Sequence, residues 1–219
     1  MNEYLQRFGY AIPSMGSISD QTVGGLISTG SHGTGIAYGI SSSEVTALDL
    51  VTADGRVLSC SETQNREVFR AAACSLGVLG IISTVTIKVE PAFNLEAVQT
   101  PVKLDDILGN LDKFVNSAEH FRFWWFPYTD DAVTWGANRT DKKLAPAQES
   151  WLRDKFLGHH LLETLLYASS FVPSLLPSLN QGFFNLLFAT KTTTVDTSYK
   201  VFNFDCLFKQ YVSEWAIPM

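Results

Sequence analysis

The chain has 219 residues, of which 46% are hydrophobic and only 17% charged, with a formal net charge of −6. That is enough apolar material to bury a core, as one large domain or two small ones, and the composition is not that of a disordered chain. The acidic balance argues against a nucleic-acid partner, because no basic patch is available to neutralise phosphates.

Cys60, Cys74 and Cys206 are widely spaced and form no C-x-x-C pair, so they read as reduced or buried thiols and not as a disulfide framework. The opening residues have neither a basic start nor an apolar run, so no signal peptide is expected. Residues 24–39 then hold Gly24, Gly25, Gly30, Gly33, Gly35 and Gly39, where average usage of roughly 7% puts about one. Glycine lets a backbone pass close to a neighbour. The residues between are mostly Ser, Thr and Ile with a single His32, a composition suited to N–H and hydroxyl groups holding a large polar ligand. On composition alone, a structural turn cluster is the competing reading.

Residues 45–52 alternate and are β-branched, Ala53, Asp54 and Gly55 supply a turn, and residues 56–60 return, which predicts a hairpin. Val68, Ala71, Ala72 and Leu76 give helical spacing over 67–76, and residues 81–89 read as a strand. Pro91 follows as a domain boundary, dividing the chain into 1–90 and 91–219. Residues 93–99 read as a strand, and 104–117 as one amphipathic helix with Leu104, Ile107, Leu108, Leu111 and Val115 on its apolar face. Residues 121–128 and 132–137 read as paired strands with aromatic faces, 141–150 as a loop, and 200–211 as a further strand. In the first of these, one side of Arg122, Trp124 and Trp125 is core and the other is able to face a sugar ring, while His120 is expected to face solvent.

The segment 151–188 is rich in Leu and Phe and interrupted by Pro173 and Pro177. Its apolar run 161–176 is shorter than the roughly 20 residues that span a bilayer. Two readings stand side by side: a pair of core helices, or a monotopic surface over 156–188 that dips into a membrane interface.

Nucleotide motifs of other kinds fail. Gly39 falls one position late for G-x-G-x-x-G, and there is no G-x-x-x-x-G-K-[ST]. Ser31 does not sit in a G-x-S-x-G elbow. His159 and His160 are adjacent, and neighbours on a helix diverge by about 100°, so no shared metal is expected and no cluster has metal spacing. His32 is read as a loop histidine bonding the backbone ahead of a proton-transfer role; its pKa range suits such work, but nothing in the sequence places it against a substrate.

Five segments, in order, resemble the aldonolactone oxidases, a family of vanillyl-alcohol-oxidase or p-cresol-methylhydroxylase-type FAD flavoproteins. They are Ser19-Asp20-Gln21-Thr22-Val23-Gly24-Gly25, then Ile27 to Gly33, then Leu79-Gly80-Ile81-Ile82, then Glu119 to Pro127, and the closing Trp215-Ala216-Ile217-Pro218. The resemblance implies an α+β fold: the second half of the FAD-binding domain, then the first part of an α+β substrate (cap) domain. It implies FAD as cofactor, with Thr22, Gly24, Gly25, Ser28 and Thr29 along the pyrophosphate and flavin side. His32 and Gly33 lie near the isoalloxazine, Gly35 lets the chain pass tightly, and Ile82 meets the adenosine end through its backbone.

The activity implied is oxidation of an aldono-1,4-lactone, of L-gulono or D-arabinono type, to its 2-keto form with O2 as acceptor, on the route to ascorbate. Vertebrate members are microsomal, so the endoplasmic-reticulum membrane is the implied location. The family's first pyrophosphate loop precedes the stretch matched here, and its Glu-x-Arg pair and His-Trp-Ala-Lys motif follow it. No residue is therefore named as catalytic, and a catalytically silent fragment is the alternative expectation, as is an alditol- or sterol-oxidising relative. Residues 205–209 follow an acidic-Cys-Arg-Phe-Lys pattern except that Leu207 replaces the Arg.

Overall fold

The structure, a computed structural model, describes residues 1–148, 150–204 and 211–215. A short helix α1 (Asn2–Arg7) leads to β1 (Tyr10–Ala11), and α2 (Val23–Ser28) opens the Gly-rich segment. The first sheet has the order β3-β2-β4, built from β2 (Val45–Val51), β3 (Val57–Ser61) and β4 (Ile81–Ile87), all antiparallel. The predicted hairpin forms as read: Gly55 takes φ +81°, and the Asp54 carboxylate accepts from Thr52 Oγ1 at 2.5 Å and from Arg56 N at 3.3 Å, which closes the turn. Alternation along β2 sends Val45, Leu48 and Leu50 into one core with Cys60. Helix α3 (Arg66–Ala72) adds Phe69 and Ala72, and α2 adds Ile27, so the Gly-rich segment is anchored to this sheet by one buried side chain.

Helix α3 stops at Ala72, four residues short of the expected end. The chain beyond it turns through positive φ at Leu76, Gly77 and Gly80, and Leu76 N donates to Ser28 O at 3.0 Å, a bond that a continuing helix would have denied it. The two-residue strand β5 (Glu90–Pro91) pairs with β1, at the position read as a boundary.

The second sheet has the order β7-β8-β6-β9, from β6 (Asn94–Lys103), β7 (His120–Trp125), β8 (Asp131–Thr140) and β9 (Thr192–Thr197). One face is covered by α4 (Leu104–Gly109) and α5 (Leu111–Val115), two helices where one was expected. Gly109 and Asn110 break the run, Asn110 standing at φ −138°. The break rotates Leu108 into solvent at 59% exposure while Ile107 stays buried. The last strand among the described residues is β9, a β-branched run, and the strand expected over 200–211 does not form at its start: Ser198–Phe202 form helix α8, and residues 205–210 lie outside the described residues.

Residues 151–188 make a helical hairpin. A π-helix (Trp151–Leu161) runs into α6 (Leu162–Ser169), and a 3₁₀ turn (Pro173–Leu175) leads to α7 (Leu176–Leu187). Both prolines sit at first-turn positions, where the missing N–H costs nothing. The reading of core helices fails here: along α6 and α7 only Leu162, Ser169 and Phe184 are buried, while Tyr167 is 69% and Phe171 72% exposed. Phe126, beyond β7, anchors the hairpin by ring contacts to Phe183, Phe184 and Phe188. Among the described residues, no helix is long and apolar enough to cross a membrane.

Candidate functional site

The Gly-rich segment is a short helix followed by a closed loop. Thr22 caps α2, its hydroxyl accepting from Gly25 N at 3.2 Å, and Thr29 Oγ1 donates back to Gly25 O at 2.8 Å. Gly30 turns the chain at φ +67°, His32 bridges Ile40, and Ser41 N donates to Ser31 O at 2.7 Å, so residues 31–41 fold into a tight lobe. Thr22, Gly24, Gly25, Ser28, Thr29, His32, Gly33 and Gly35 thus fall on one continuous segment. Ile82 lies on β4, opposite Leu50, and packs against the core that holds Ile27. The sheet brings it into the same body as the loop.

Both nitrogens of His32 face acceptors. Nδ1–H donates to Gly33 O at 2.9 Å and Nε2–H to the Glu214 carboxylate. The Glu214 bond, then the Gly33 bond, raise its pKa from the ordinary histidine value. Imidazolium satisfies both partners, so in this arrangement His32 braces the loop and holds no lone pair free to take a proton.

Close approach marks the other glycines. A side chain at Gly33 would strike Ser14 Oγ and Met15. One at Gly35, φ +104°, would strike the Glu119 carbonyl and stand 2.7 Å from Tyr38 Cδ2. The tight passage at Gly35 is therefore made against the second sheet. There the loop meets β7 through His120, which is fully buried and not solvent-facing as the sequence suggested. His120 Nδ1–H donates to Thr34 O at 2.9 Å, its ring stacks on Tyr38 at 4.9 Å, and the edge of Phe202 packs against it at 4.7 Å. Burial lowers its pKa, keeping the ring neutral, with the proton on Nδ1 because Thr34 O can only accept.

A charged clasp surrounds this contact. Tyr38 Oη–H donates to Glu119 Oε1 at 2.5 Å, and Arg139 reaches Glu119 at 2.9 Å and Glu90 at 2.6 Å. Burial pushes the Glu119 carboxyl up, but the Tyr38 and Arg139 bonds outweigh it and hold the group below its ordinary value. One arginine therefore ties the Gly-rich loop, the β5 junction and the second sheet together, with its guanidinium lying 3.8 Å from the Phe93 ring centroid. None of this was legible as a site, although the period of two along β7 places His120 on the same face as Arg122 and Trp124.

Further from the loop, His159, His160 and Glu163 come together on the hairpin, their ligand atoms within 4.8 Å of one another and the two imidazoles stacked at 4.6 Å. The expectation that the two histidines diverge assumed α-helical spacing; the wider turn of the π-helix brings them side by side. The group is largely exposed.

A family model described as D-arabinono-1,4-lactone oxidase matches residues 85–219, and one described as FAD binding domain matches residues 1–61. The chain belongs to the D-arabinono-1,4-lactone oxidase family. L-gulonolactone oxidase from Scyliorhinus torazame is 45% identical over 219 residues, covering all of this chain and 50% of the relative. The Mus musculus L-gulonolactone oxidase is 42% identical with 49% of its length covered, and the Yarrowia lipolytica D-arabinono-1,4-lactone oxidase 36% identical with 43% covered. The chain spans about half the length of the curated relatives it matches. Among solved structures, cholesterol oxidase from Brevibacterium sterolicum superposes with a TM-score of 0.78 at 15% identity, covering 94% of this chain and 44% of that one. That likeness shows the fold: a p-cresol-methylhydroxylase-type FAD fold, α+β as expected.

The loop fits FAD, the cofactor of the family, on its own geometry. A side chain at Gly24 would meet nothing within 4 Å, so open space adjoins the backbone at the start of α2. Thr34 Oγ1 and Ser41 Oγ are buried without a partner among the described residues, two hydroxyls in the lobe still able to bond a ligand. No lysine or arginine stands in residues 22–41, and His32 spends both ring nitrogens on Gly33 and Glu214, so the loop offers N–H and O–H donors to a large polar molecule.

Proposed function

We propose that this chain is the flavin-loop and substrate-cap portion of an FAD-dependent oxidase that converts an aldono-1,4-lactone, of L-gulono or D-arabinono type, to its 2-keto form. The substrate gives up two electrons and two protons, O2 is reduced to H2O2, and the reaction serves ascorbate synthesis. The observation that carries this reading is the junction at Gly35 and His120, where the glycine loop abuts one face of an aromatic sheet. In such an arrangement a sugar lactone is held between the loop's ligand and the cap.

When bound, FAD would supply the hydride acceptor for the substrate carbon and, once reduced, the electrons for O2. The chain's own residues hold and shape the site. Thr22, Gly24, Gly25, Ser28 and Thr29 present donors along the pyrophosphate and flavin side. His32 as imidazolium and Gly33 shape the lobe near the isoalloxazine, Gly35 lets the cap close on it, and Ile82 offers backbone to the adenosine end. The division at Pro91 separates the flavin part, 1–90, from the cap, 91–219.

The hairpin supports a second element of the proposal, docking to the endoplasmic-reticulum surface. Trp151, Phe156, Tyr167, Phe171 and Leu175 are exposed on it, and an apolar groove of about 170 Å³ opens between α6 and α7. Apolar side chains on a surface hairpin lower their free energy by entering the headgroup boundary. Co-sedimentation with phosphatidylcholine vesicles, weakened by the pair Tyr167→Ser and Phe171→Ser, is the expected result; unchanged partition of the pair would remove this element.

The activity itself is tested on the purified protein with FAD, by following loss of the flavin's visible absorbance under anaerobic conditions with each lactone, then H2O2 release on admitting air. Bleaching by an alditol or a sterol but not by either lactone would overturn the substrate class. Stoichiometric FAD binding with no bleaching by any of them would leave a silent flavoprotein.

A further inference from the structure

Arg122 stands out on the cap sheet because, among the described residues, no carboxylate neutralises it. Its guanidinium carbon lies 4.2 Å from the Trp135 ring centroid, 5.0 Å from that of Trp124 and 5.5 Å from that of Phe204, a box of three aromatic faces. Its Nε is buried and has no acceptor, and no carboxylate among the described residues pairs with it. Burial alone pulls its pKa down to about 10, so at neutral pH the group is fully charged. By contrast, Arg139 is held by Glu90 and Glu119, and Arg153 by Asp154. A largely buried, unpaired cation is a costly thing to keep. Cation–π contact offsets part of that cost but leaves the planar fork of donors unused.

The position of the fork is informative. Antiparallel register puts Arg122 opposite Trp135, Trp135 opposite Gln99, and Gln99 opposite Thr192, a row running across all four strands. His120, two residues before Arg122, shares its face and touches the Gly-rich loop at Thr34. The opposite face is the one occupied by Phe114 against Phe121. Beside the row lies a cavity of about 660 Å³ whose lining includes Trp135, Phe204, Gln99, Ala97, Thr192 and Thr194. Two of the three rings that hold the guanidinium therefore also wall this space. Its size falls within the range of small-molecule sites, with aromatic walls and a few polar groups.

We propose that Arg122 and its aromatic box form a binding point for the planar O–C–O group of a sugar-acid derivative, the ester of an aldonolactone or the carboxylate of the ring-opened aldonate. The guanidinium fork matches two coplanar oxygens, and the indole faces of Trp124 and Trp135 suit the C–H face of a sugar ring. Gln99 and the Thr192 and Thr194 hydroxyls are placed to meet its hydroxyl groups. The inference rests on the lactone-oxidase reading for its choice of ligand. It assigns Arg122 to substrate binding and orientation.

The flavin-free protein carries its own reporter, since two tryptophans form the box. Titration with L-gulono-1,4-lactone and, separately, with L-gulonate is expected to change the tryptophan fluorescence, and Arg122→Met to weaken binding roughly 10- to 100-fold. Arg122→Lys keeps the charge but loses the fork, and is expected to lie between the two. Because Arg122→Met removes an unpaired buried charge, its thermal midpoint should equal or exceed that of the wild type. A structural arginine would behave oppositely, so a marked fall in midpoint for both variants overturns the proposal. Binding by Arg122→Met within twofold of wild type also overturns it. A response to gulonate alone identifies the carboxylate as the source of the O–C–O group; a response to neither compound overturns the site. Oxidation assays run alongside separate the two claims. Wild-type protein that binds lactone at Arg122 but does not oxidise it refutes the activity and keeps the site, whereas oxidation with a KM indifferent to Arg122→Met does the reverse.

Discussion

Replacing Gly35 by alanine tests the contact on which the arrangement of loop and sheet depends. Gly35 stands at φ +104°, where an L side chain is strained, at a cost of about 1–3 kcal/mol. Its new Cβ would also collide with the Glu119 carbonyl and come within 2.7 Å of Tyr38 Cδ2 and 3.3 Å of His120 Nδ1. The first obstacle is the backbone immediately before β7, fixed by Glu119 N donating to Asn138 Oδ1 at 2.9 Å, which does not swing aside, so overpacking adds about 1–3 kcal/mol more. The sum, about 4 kcal/mol, corresponds to a fall in melting temperature of roughly 8–16 °C for a body of this size.

The assay is differential scanning fluorimetry of the wild type, Gly35→Ala and Gly24→Ala. Gly24 is the matched control: it is helical, its Cβ would meet nothing, and alanine there should be neutral or stabilising by up to about 1 kcal/mol. Gly24→Ala nevertheless fills space beside the loop backbone, so it is expected to weaken FAD binding while leaving the fold intact. If Gly35→Ala melts within 2 °C of Gly24→Ala (about 1 kcal/mol on the same scale), the loop does not rest on β7 as described and the reasoning fails.

Acidification should loosen the same junction. His120 has a lowered pKa in the fold, so its neutral form contributes stability that is present above 6.5 and lost as pH falls through the folded value. His32 has the opposite sign: its pKa is raised, so its contribution is full below 6.5 and lost as pH rises through the raised value. The variant His32→Gln removes the opposing trend, and its melting temperature should fall between about pH 7 and pH 5; a flat curve would argue that His120 is not buried neutral. In His120→Leu, the carbonyl of Thr34 loses its donor, for an expected loss of about 1–3 kcal/mol by chemical denaturation. Arg139→Met leaves Glu90 and Glu119 without their shared partner; since all three are partly exposed, a loss of about 1–2 kcal/mol is expected, shrinking as Glu119 is protonated at low pH. A variant as stable as the wild type at neutral pH would show that the clasp contributes nothing.

Local chemistry carried much of the fold in the chain's own letters. The β2–β3 hairpin was legible because alternation and an Asp54-Gly55 turn agree with each other at short range. The same holds for β4, β6, β7 and β8, whose β-branched and aromatic runs have no competing helical period. Helix ends were less legible. Whether 104–117 is one helix or two turns on Gly109 and Asn110, and α3 ends where Leu76 N finds the Ser28 carbonyl, a partner distant in sequence. Strand β9 carried a clear β-branched signal at Thr192–Thr197 that the neighbouring aromatic stretch obscured.

The site divides the same way. The glycine cluster, its lack of lysine and arginine and the family resemblance were all present in the order of residues, and FAD followed from them. What the sequence could not show is which loop atoms meet which strand. His120 looks like a solvent-facing residue at a strand start until the Gly35 loop folds over it, because burial is a property of elements far apart in the chain. Arg122 looks like one more charge in an aromatic strand, and only the tertiary packing reveals that Trp124, Trp135 and Phe204 surround it while no carboxylate among the described residues reaches it. Turn chemistry and periodicity act over a few residues and can be read from the sequence alone. Close approach, burial and the pairing of charges are decided by surfaces that meet only once the two sheets and the Gly-rich loop have packed together.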